Sequence, residues 1–221
     1  MLKRGENLFL MLNKKKIIVT GGSGRFGSVL RKNVKNNYLF PKKNELNILN
    51  LKSIIRYFKK IKPKTVIHLA GLSRPMSLHE KKINESISLN IIGTSNIVIA
   101  CAKFKVKLIY FSTSYVYPGT KGNYKETDPL LPTNNYAWSK LGGESAVHLY
   151  KNSLILRVSM TERPFVHKSA YANMITNFIF HDDFIKLVED KREGKLSTQL
   201  NYTKNGFKSI IKKLRRASKK F

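Results

Sequence analysis

Tyr136 and Lys140 stand four residues apart in NNYAWSK, residues 134–140. On a helix that spacing places both side chains on one face. An ammonium beside a phenol favours tyrosinate and draws the tyrosine pKa from about 10 towards neutrality. A phenol tuned in this way can pass a proton to or from a sugar hydroxyl or carbonyl. The spacing alone recurs by chance in many chains. It gains meaning from FSTSYVY, residues 111–117, where Thr113 and Ser114 place hydroxyls at the end of an apolar run. A hydroxyl there could hydrogen-bond the oxygen that reacts beside the phenol.

Such groups need a scaffold, and the hydrophobic pattern predicts one. KIIVT, 16–20, is a β-branched run that stops at glycines and reads as a buried strand. FGSVLRKNV then reads as a helix and YLF, 38–40, as a short strand ended by Pro41. Leu51, Ile54, Ile55, Phe58 and Ile61 mark a helix that stops before Pro63, and TVIHLA, 65–70, a further strand. Residues 83–103 have the spacing of one long helix, KLIYFST, 107–113, is a strand, and proline-rich residues 118–135 form a loop. A helix over 136–150 and the strand SLILRVS, 153–159, complete the series. Strands alternating with helices predict an α/β fold, a doubly wound parallel sheet of the Rossmann kind. Its ligand would sit at the carboxyl ends of the strands. After residue 160 the pattern weakens, and FHDDFIKLVED, 180–190, reads as a helix capped by Asp182 or Asp183. The expected organisation is an N-terminal extension over 1–15 and a nucleotide-binding domain over 16–160. A short substrate lobe over 161–221 follows, ending in a basic helix.

The first strand runs into TGGSGRFGS. Read as Gly22-x-Gly24-x-x-Gly27 or as Gly21-x-x-Gly24-x-x-Gly27, it puts glycine where a strand turns sharply into a helix. Backbone can then approach a pyrophosphate, and the helix N-terminus offers free N–H groups and partial positive charge. The strand–turn–helix context is the one a dinucleotide site requires. The second strand should end in an acid that holds the adenosine ribose. YLFPKKNE puts Lys42 and Lys43 there instead, and Arg25 lies inside the glycine turn. Cations suit a 2′-phosphate, so NADP is favoured over NAD.

Composition narrows the class further. Forty-two lysines and arginines against thirteen acids give a net charge of +29, spread along the whole chain. The spread reads as compositional bias, so a nucleic-acid partner is not expected; only KSIIKKLRRASKK, 208–220, is concentrated. The single cysteine, Cys101, lies in the apolar run IVIACA. It excludes a disulfide framework and a thiolate metal cluster, and reads as a buried small hydrophobe in a reducing cytoplasm. No metal site and no membrane span are expected. His68 and His148 fall inside predicted elements and read as structural.

Taken together, TGGSGRFG, HLAG at 68–71, Asn90 in NIIGTSN, FSTSYVY and YAWSK resemble the extended short-chain dehydrogenase/reductases that act on nucleotide sugars. The run from Ser112 to Ser145 is most similar to the dTDP-4-dehydrorhamnose reductase group. The resemblance covers roughly residues 16–160. It implies Tyr136 as general acid/base, Lys140 as the residue that lowers its pKa and holds the nicotinamide ribose, and Thr113 as the active-site hydroxyl. It also implies a pyrophosphate seat of Gly21, Gly22, Ser23, Gly24, Arg25, Phe26 and Gly27, with Lys42, Asn47 and Ile48 towards the adenosine. Leu69, Ala70, Gly71, Asn90 and Ser112 would complete the cofactor cleft. Ser114 and Tyr115 would meet substrate; in TERPFVHKSAYAN, read from residue type alone, Arg163, His167 and Lys168 could meet a nucleotide diphosphate, and Phe165 and Tyr171 could stack on its base. Ser114 and Tyr115 stand where the family's 4,6-dehydratases carry Asp-Glu, which argues against dehydration. Ser114 also departs from the aspartate usual in the reductases.

The implied activity is an NAD(P)-dependent reduction of a nucleotide-activated keto-sugar. The alternatives are an epimerase that retains its cofactor and a binding module without turnover. Family members often pair through two helices, and Gly142 and Gly143 would permit close approach of a second copy. If the lysines after the second strand recognise a 2′-phosphate, Lys42→Glu combined with Lys43→Glu weakens NADP binding more than NAD binding. Titration calorimetry with both dinucleotides checks this, and equal losses would remove the NADP preference.

Overall fold

The computed structural model describes residues 16–34, 37–120, 124–161, 179–189 and 199–201. β1 (Ile17–Thr20), β2 (Tyr38–Leu39), β3 (Thr65–His68), β4 (Lys107–Thr113), β5 (Ser153–Val158) and β8 (Gln199–Asn201) form one parallel sheet. Its order is β2-β1-β3-β4-β5-β8. Two further short strands, β6 (Met160–Thr161) and β7 (Ile179–Phe180), pair with each other. The connection from β1 runs outwards to β2, and the next returns across β1 to β3. The crossovers therefore diverge between β1 and β3, and the crevice at their carboxyl ends is where such sheets bind ligands.

Parallel strands are covered on both faces, which explains their unbroken apolar runs. Val19, Ile67, Phe111, Leu154 and Leu156 pack on one side with Phe26 and Leu30 of α1 (Arg25–Asn33) and Phe184 and Ile185 of α7 (His181–Glu189). Ile18, Val66, Leu108, Tyr110 and Ile155 pack on the other. They meet Ile54 and Phe58 of α2 (Leu51–Ile61), Ile97 and Cys101 of α5 (Gly93–Phe104) and Val147 of α6 (Asn135–His148). Side chains alternate along each strand, so neighbouring apolar residues serve opposite layers. Burial also pushes the Cys101 thiol up to about 12, in line with an inert core residue.

Several expectations change on this framework. Residues 83–103 do not form one regular helix: α4 (Ile83–Ile87) passes through a π turn (Ser88–Ile92) into α5. A short α3 (Leu78–Lys81) precedes them. The combined helix Ile83–Phe104 is long and apolar enough to cross a membrane by length and composition, contrary to expectation. In the fold its buried residues, Ile97, Ala100 and Cys101 among them, belong to the core. α7 begins at His181, so Asp182 and Asp183 lie in its first turn and complement its dipole instead of capping it. α7 and β8, grouped by sequence with a substrate lobe, pack on the nucleotide-binding body. His148 is exposed at the last turn of α6. The basic segment 208–220 and residues 1–15 lie outside the described residues.

The two helix starts that matter most are set by asparagine. Asn50 accepts from the Ser53 amide at 3.0 Å, and Asn134 accepts from the Ala137 amide at 2.8 Å. Gly142 and Gly143 then let α6 approach the π turn of its own chain. A Cβ at Gly142 would lie 2.7 Å from the Ile91 side chain. One at Gly143 would lie 2.6 Å from both the Asn90 carbonyl oxygen and the Tyr110 hydroxyl. The close approach expected between two copies is therefore used internally. Alanine ordinarily stabilises a helix interior over glycine by about 1 kcal/mol. Gly143→Ala should reverse that sign and cost about 1–2 kcal/mol through overpacking, as read by urea denaturation.

Candidate active site

The glycine turn after β1 is built against the end of β3. Gly21 has φ of 70°, and a Cβ there would lie 2.6 Å from the Ala70 amide nitrogen. Both the dihedral and the contact demand glycine. Gly24 donates its amide to the Gly21 carbonyl at 3.0 Å, closing the turn. Gly27 sits on the turn itself, where a Cβ would come within 2.5 Å of the Gly21 oxygen. Gly24 is the N-cap of α1 and supplies no side-chain cap, so the first-turn amides are left to another acceptor. Backbone compressed in this way at an uncapped helix start fits a dinucleotide pyrophosphate.

Not every residue expected in that seat presents a side chain to it. Ser23 and Arg25 are exposed at the turn, and Gly22 packs under Phe40. The Phe26 ring points inwards, 5.4 Å from Phe111 and 5.8 Å from Phe184, so only its backbone serves the turn. Lys42 and Lys43 are exposed beyond β2, and the Lys42 amide donates to the Glu45 carboxylate at 2.8 Å. The carboxylate in this segment is thus engaged with its own loop. The Asn47 carboxamide oxygen accepts from the Leu49 amide at 3.0 Å. Ile48 is buried, with its carbonyl held by Asn96 at 2.9 Å. Arg31, which sequence reasoning passed over, lies over the Phe40 ring at 4.9 Å.

Across the crevice, His68 fixes the end of β3. Its Nδ1 pairs with Thr20 Oγ1 at 2.7 Å and its Nε2 with Thr94 Oγ1 at 3.1 Å. Burial first, and then the Lys140 charge, lower its pKa to about 3, so it is a neutral structural link as expected. Thr20 Oγ1 also accepts from the Ala70 amide at 3.3 Å, while the Leu69 amide donates to the Thr20 carbonyl at 3.3 Å. Asn90, expected at the cofactor, spends its carboxamide inside the protein. Its Oδ1 accepts from the Leu72 amide at 2.7 Å, and its Nδ2 donates to the Leu72 carbonyl at 2.9 Å and Ser139 Oγ at 2.8 Å. Ser139 in turn donates to the Tyr136 carbonyl at 2.7 Å. A Cβ on Gly71 would collide with Asn90 Oδ1 at 2.6 Å.

Tyr136 and Lys140 come to this crevice on α6. The Tyr136 ring is half-buried between His79 of α3, at 5.1 Å, and Tyr115, edge-on at 6.4 Å. His79 is itself buried, with Nδ1 paired to Ser86 Oγ at 2.7 Å. Burial lowers its pKa, against the raising effects of the Ser73 backbone and Glu80. Thr113 is buried at the end of β4, where its Oγ1 accepts from the Tyr115 amide at 3.3 Å. That bond leaves the hydroxyl proton as a donor. Ser112 Oγ, near the carboxyl end of β4, is buried and has no hydrogen-bond partner among the described residues. Ser114 and Tyr115 are partly buried beside it. Arg163, His167, Lys168, Phe165 and Tyr171 lie outside the described residues.

Lys140 is 8 % exposed, with Nζ 4.2 Å from the centre of the Tyr110 ring. Burial draws its pKa down to about 7, and the Glu144 carboxylate one turn further opposes the fall. Glu144 is bound by Arg157 of β5, with Nε 3.2 and 3.1 Å from its two oxygens and Nη2 at 2.8 Å. Arg157 Nη1 donates to the Tyr117 hydroxyl at 2.7 Å, and that hydroxyl donates to the Lys125 carbonyl at 3.1 Å. Sequence reasoning missed this network. Arginine inside the apolar run SLILRVS was the available signal, since a buried charge implies a buried partner.

This strand order, the glycine turn, and a tyrosine and a lysine one turn apart on α6 define a Rossmann protein of the short-chain dehydrogenase/reductase class. The chain belongs to the RmlD substrate binding domain family, whose model matches residues 15–201. It is 29% identical over 207 residues to the spore coat polysaccharide biosynthesis protein SpsK of Bacillus subtilis, covering 89% of this chain and 69% of that one. It is 30% identical to methionine adenosyltransferase 2 subunit beta of Xenopus tropicalis over 155 residues, 65% of this chain and 46% of that relative. The fold is similar to dTDP-4-dehydrorhamnose reductase of Bacillus anthracis, solved in complex with NADP. The TM-score is 0.78 at 23% identity, over 93% of this chain and 82% of that one.

The buried lysine has a measurable consequence in the ligand-free protein. Its folded pKa, about 7, lies below the ordinary lysine value of 10.5. Between those values the unfolded chain holds a proton that the folded chain lacks, so stability rises with pH across that window. The cost of burying the charge is fully present below about pH 7. Lys140→Met removes the effect. Urea denaturation at pH 7 and 9 should show wild type gaining about 1–2 kcal/mol relative to Lys140→Met.

Proposed function

We propose that the chain is an NAD(P)-dependent reductase of a nucleotide-activated keto-sugar. The observation that carries this reading is the placement of a desolvated lysine one helical turn from a half-buried tyrosine. Lys140 lies over Tyr110 of β4 and Tyr136 against Tyr115, which follows the buried Thr113 at the end of that strand. The backbone amides at the start of α1 would hold the pyrophosphate. The Lys140 ammonium would hold the nicotinamide ribose and make the Tyr136 phenol a stronger acid by stabilising the tyrosinate left once its proton is given. A dihydronicotinamide held there would supply the hydride that the keto carbon accepts. Tyr136 delivers its proton to the carbonyl oxygen of that keto group, and the Thr113 hydroxyl steadies that oxygen by hydrogen bonding. Hydride and proton together convert the ketone to an alcohol.

NADP is the favoured cofactor, supported by the cations around the adenosine end and by the NADP-bound Bacillus anthracis structure. A second copy of the chain would cover the apolar side chains that α4–α6 expose, with Ile99 at 49% and Trp138 at 51%. A cytoplasmic setting accords with the single buried thiol. A second reading, a binding module without turnover, draws support from the similarity to a methionine adenosyltransferase subunit. Incubation with NADPH and a panel of nucleotide keto-sugars separates the two, with absorbance followed and products identified by mass and NMR. Tyr136→Phe should lower turnover about 10²–10⁴-fold while NADPH binding persists. Undiminished conversion would overturn the assignment of Tyr136, and absence of conversion in wild type would favour the binding module.

A further inference from the structure

Charge that is spread along the sequence is sorted by the fold. Parallel strands all enter the sheet at one end, and the helices that connect them stop there. At that amino end the backbone sets three lysines side by side. The Lys64 amide donates to the Lys16 carbonyl at 3.0 Å, and the Lys107 amide to the Lys64 carbonyl at 3.1 Å. Lys59 and Lys103 lie in the last turns of α2 and α5, and Lys62 and Lys105 cap those helices. All but Lys16 are exposed. The acids whose side chains are described lie elsewhere. Glu45, Glu80, Glu85, Glu126 and Asp128 follow the carboxyl ends of β2, β3 and β4. Asp182 and Asp183 open α7, where His181 stacks against Phe26 at the start of α1, and Glu144 is buried within α6. Among the described residues, none of these lysines is paired with a carboxylate.

Cations at helix ends complement the helix dipole, but that does not account for the lysines at the strand entries or for two further details. Lys62 has φ of 53° and Lys105 φ of 55°, the positive values found at non-glycine residues among those described. Glycine takes that cap position at lower backbone cost. Leu149, where α6 ends at the same face, is 87% exposed. The next residue, Tyr150, anchors it beside the lysines, for its hydroxyl donates to the Val106 carbonyl at 2.9 Å, between Lys105 and Lys107. Lys151 follows, also exposed. A nucleic acid would call for arginines and for exposed aromatic rings on which bases stack. Among the described residues this end offers lysines and a protruding leucine instead.

We propose that the face at the amino ends of the strands docks on an anionic lipid bilayer. The lysines meet the headgroups, and Leu149 enters the boundary between headgroups and acyl chains. The nucleotide crevice, at the opposite end of the strands, then faces the aqueous side. The docking is independent of the reaction assigned to that crevice.

Cosedimentation of the full chain with vesicles tests this. Binding should be strong on phosphatidylcholine containing phosphatidylserine at about 30%, weak on phosphatidylcholine alone, and should decline as salt is raised. Lys64→Glu combined with Lys107→Glu should lower partitioning more than about 25-fold, and Leu149→Ser several-fold at unchanged charge. Lys52→Glu combined with Lys81→Glu makes the same charge change at the carboxyl end and should leave partitioning within about twofold. Lys62→Gly combined with Lys105→Gly should raise the urea midpoint and still lower partitioning about 10–30-fold, which separates docking from folding. Equal losses in the two charge-reversed proteins would overturn the proposal, as would partitioning untouched by Leu149→Ser. It would also be overturned if wild type bound an oligothymidylate through Lys64 and Lys107 but did not sediment with the anionic vesicles.

Discussion

An amine taken out of water is the constraint around which this site is arranged. Desolvation works against the charge of Lys140, and a lone buried ammonium would give up its proton. The surroundings answer with an aromatic face beneath Nζ and a carboxylate one turn along α6. The carboxylate is itself buried, so it needs the guanidinium of Arg157. Breaking such a pair leaves an uncompensated charge inside the protein, which is far costlier than never having built it. The lysine therefore commits the helix, the fifth strand and the loop after the fourth to one arrangement.

A second consequence is the division of labour between backbone and side chain. The nucleotide side of the crevice is shaped by main chain: Gly21 against Ala70, Gly27 on the turn, and the uncapped start of α1. Side chains there mostly turn away, as Phe26 does. The chemical side depends on side chains brought together from β4 and α6. The two halves are joined by polar links of modest individual strength, Thr20–His68–Thr94 and Leu72–Asn90–Ser139.

Much of this was legible in the sequence because parallel strands buried on both faces read as continuous apolar runs, and because glycine and asparagine mark turns and caps. The glycine turn, the strand order's consequences and the stripe of Tyr136 and Lys140 follow from local spacing. What escaped sequence reasoning was non-local. The aromatic seat of His79 against Tyr136 depends on how the segment after β3 folds back. The partner of Glu144 lies thirteen residues away on another element. Asn90 looked like a ligand contact because its position in the motif is visible while its partners are not. The π turn was hidden for a different reason: apolar residues every three to four positions continue through it unchanged.

That π turn also fixes the register between the two parts of the helix it joins. A π turn holds one residue more than an α-helical turn and occurs mostly as a single turn inside an α-helix, frequently at a functional site. Removing one residue from Ser88–Ile92 would regularise the helix and improve its local bonding. It would also swing everything on one side of the cut by about 100° relative to the other. Asn90 would leave Leu72 and Ser139, or α5 would leave the sheet. This irregular turn is therefore a register device, and a chain in which it was smoothed would lose the Asn90 link between the segment after β3 and α6.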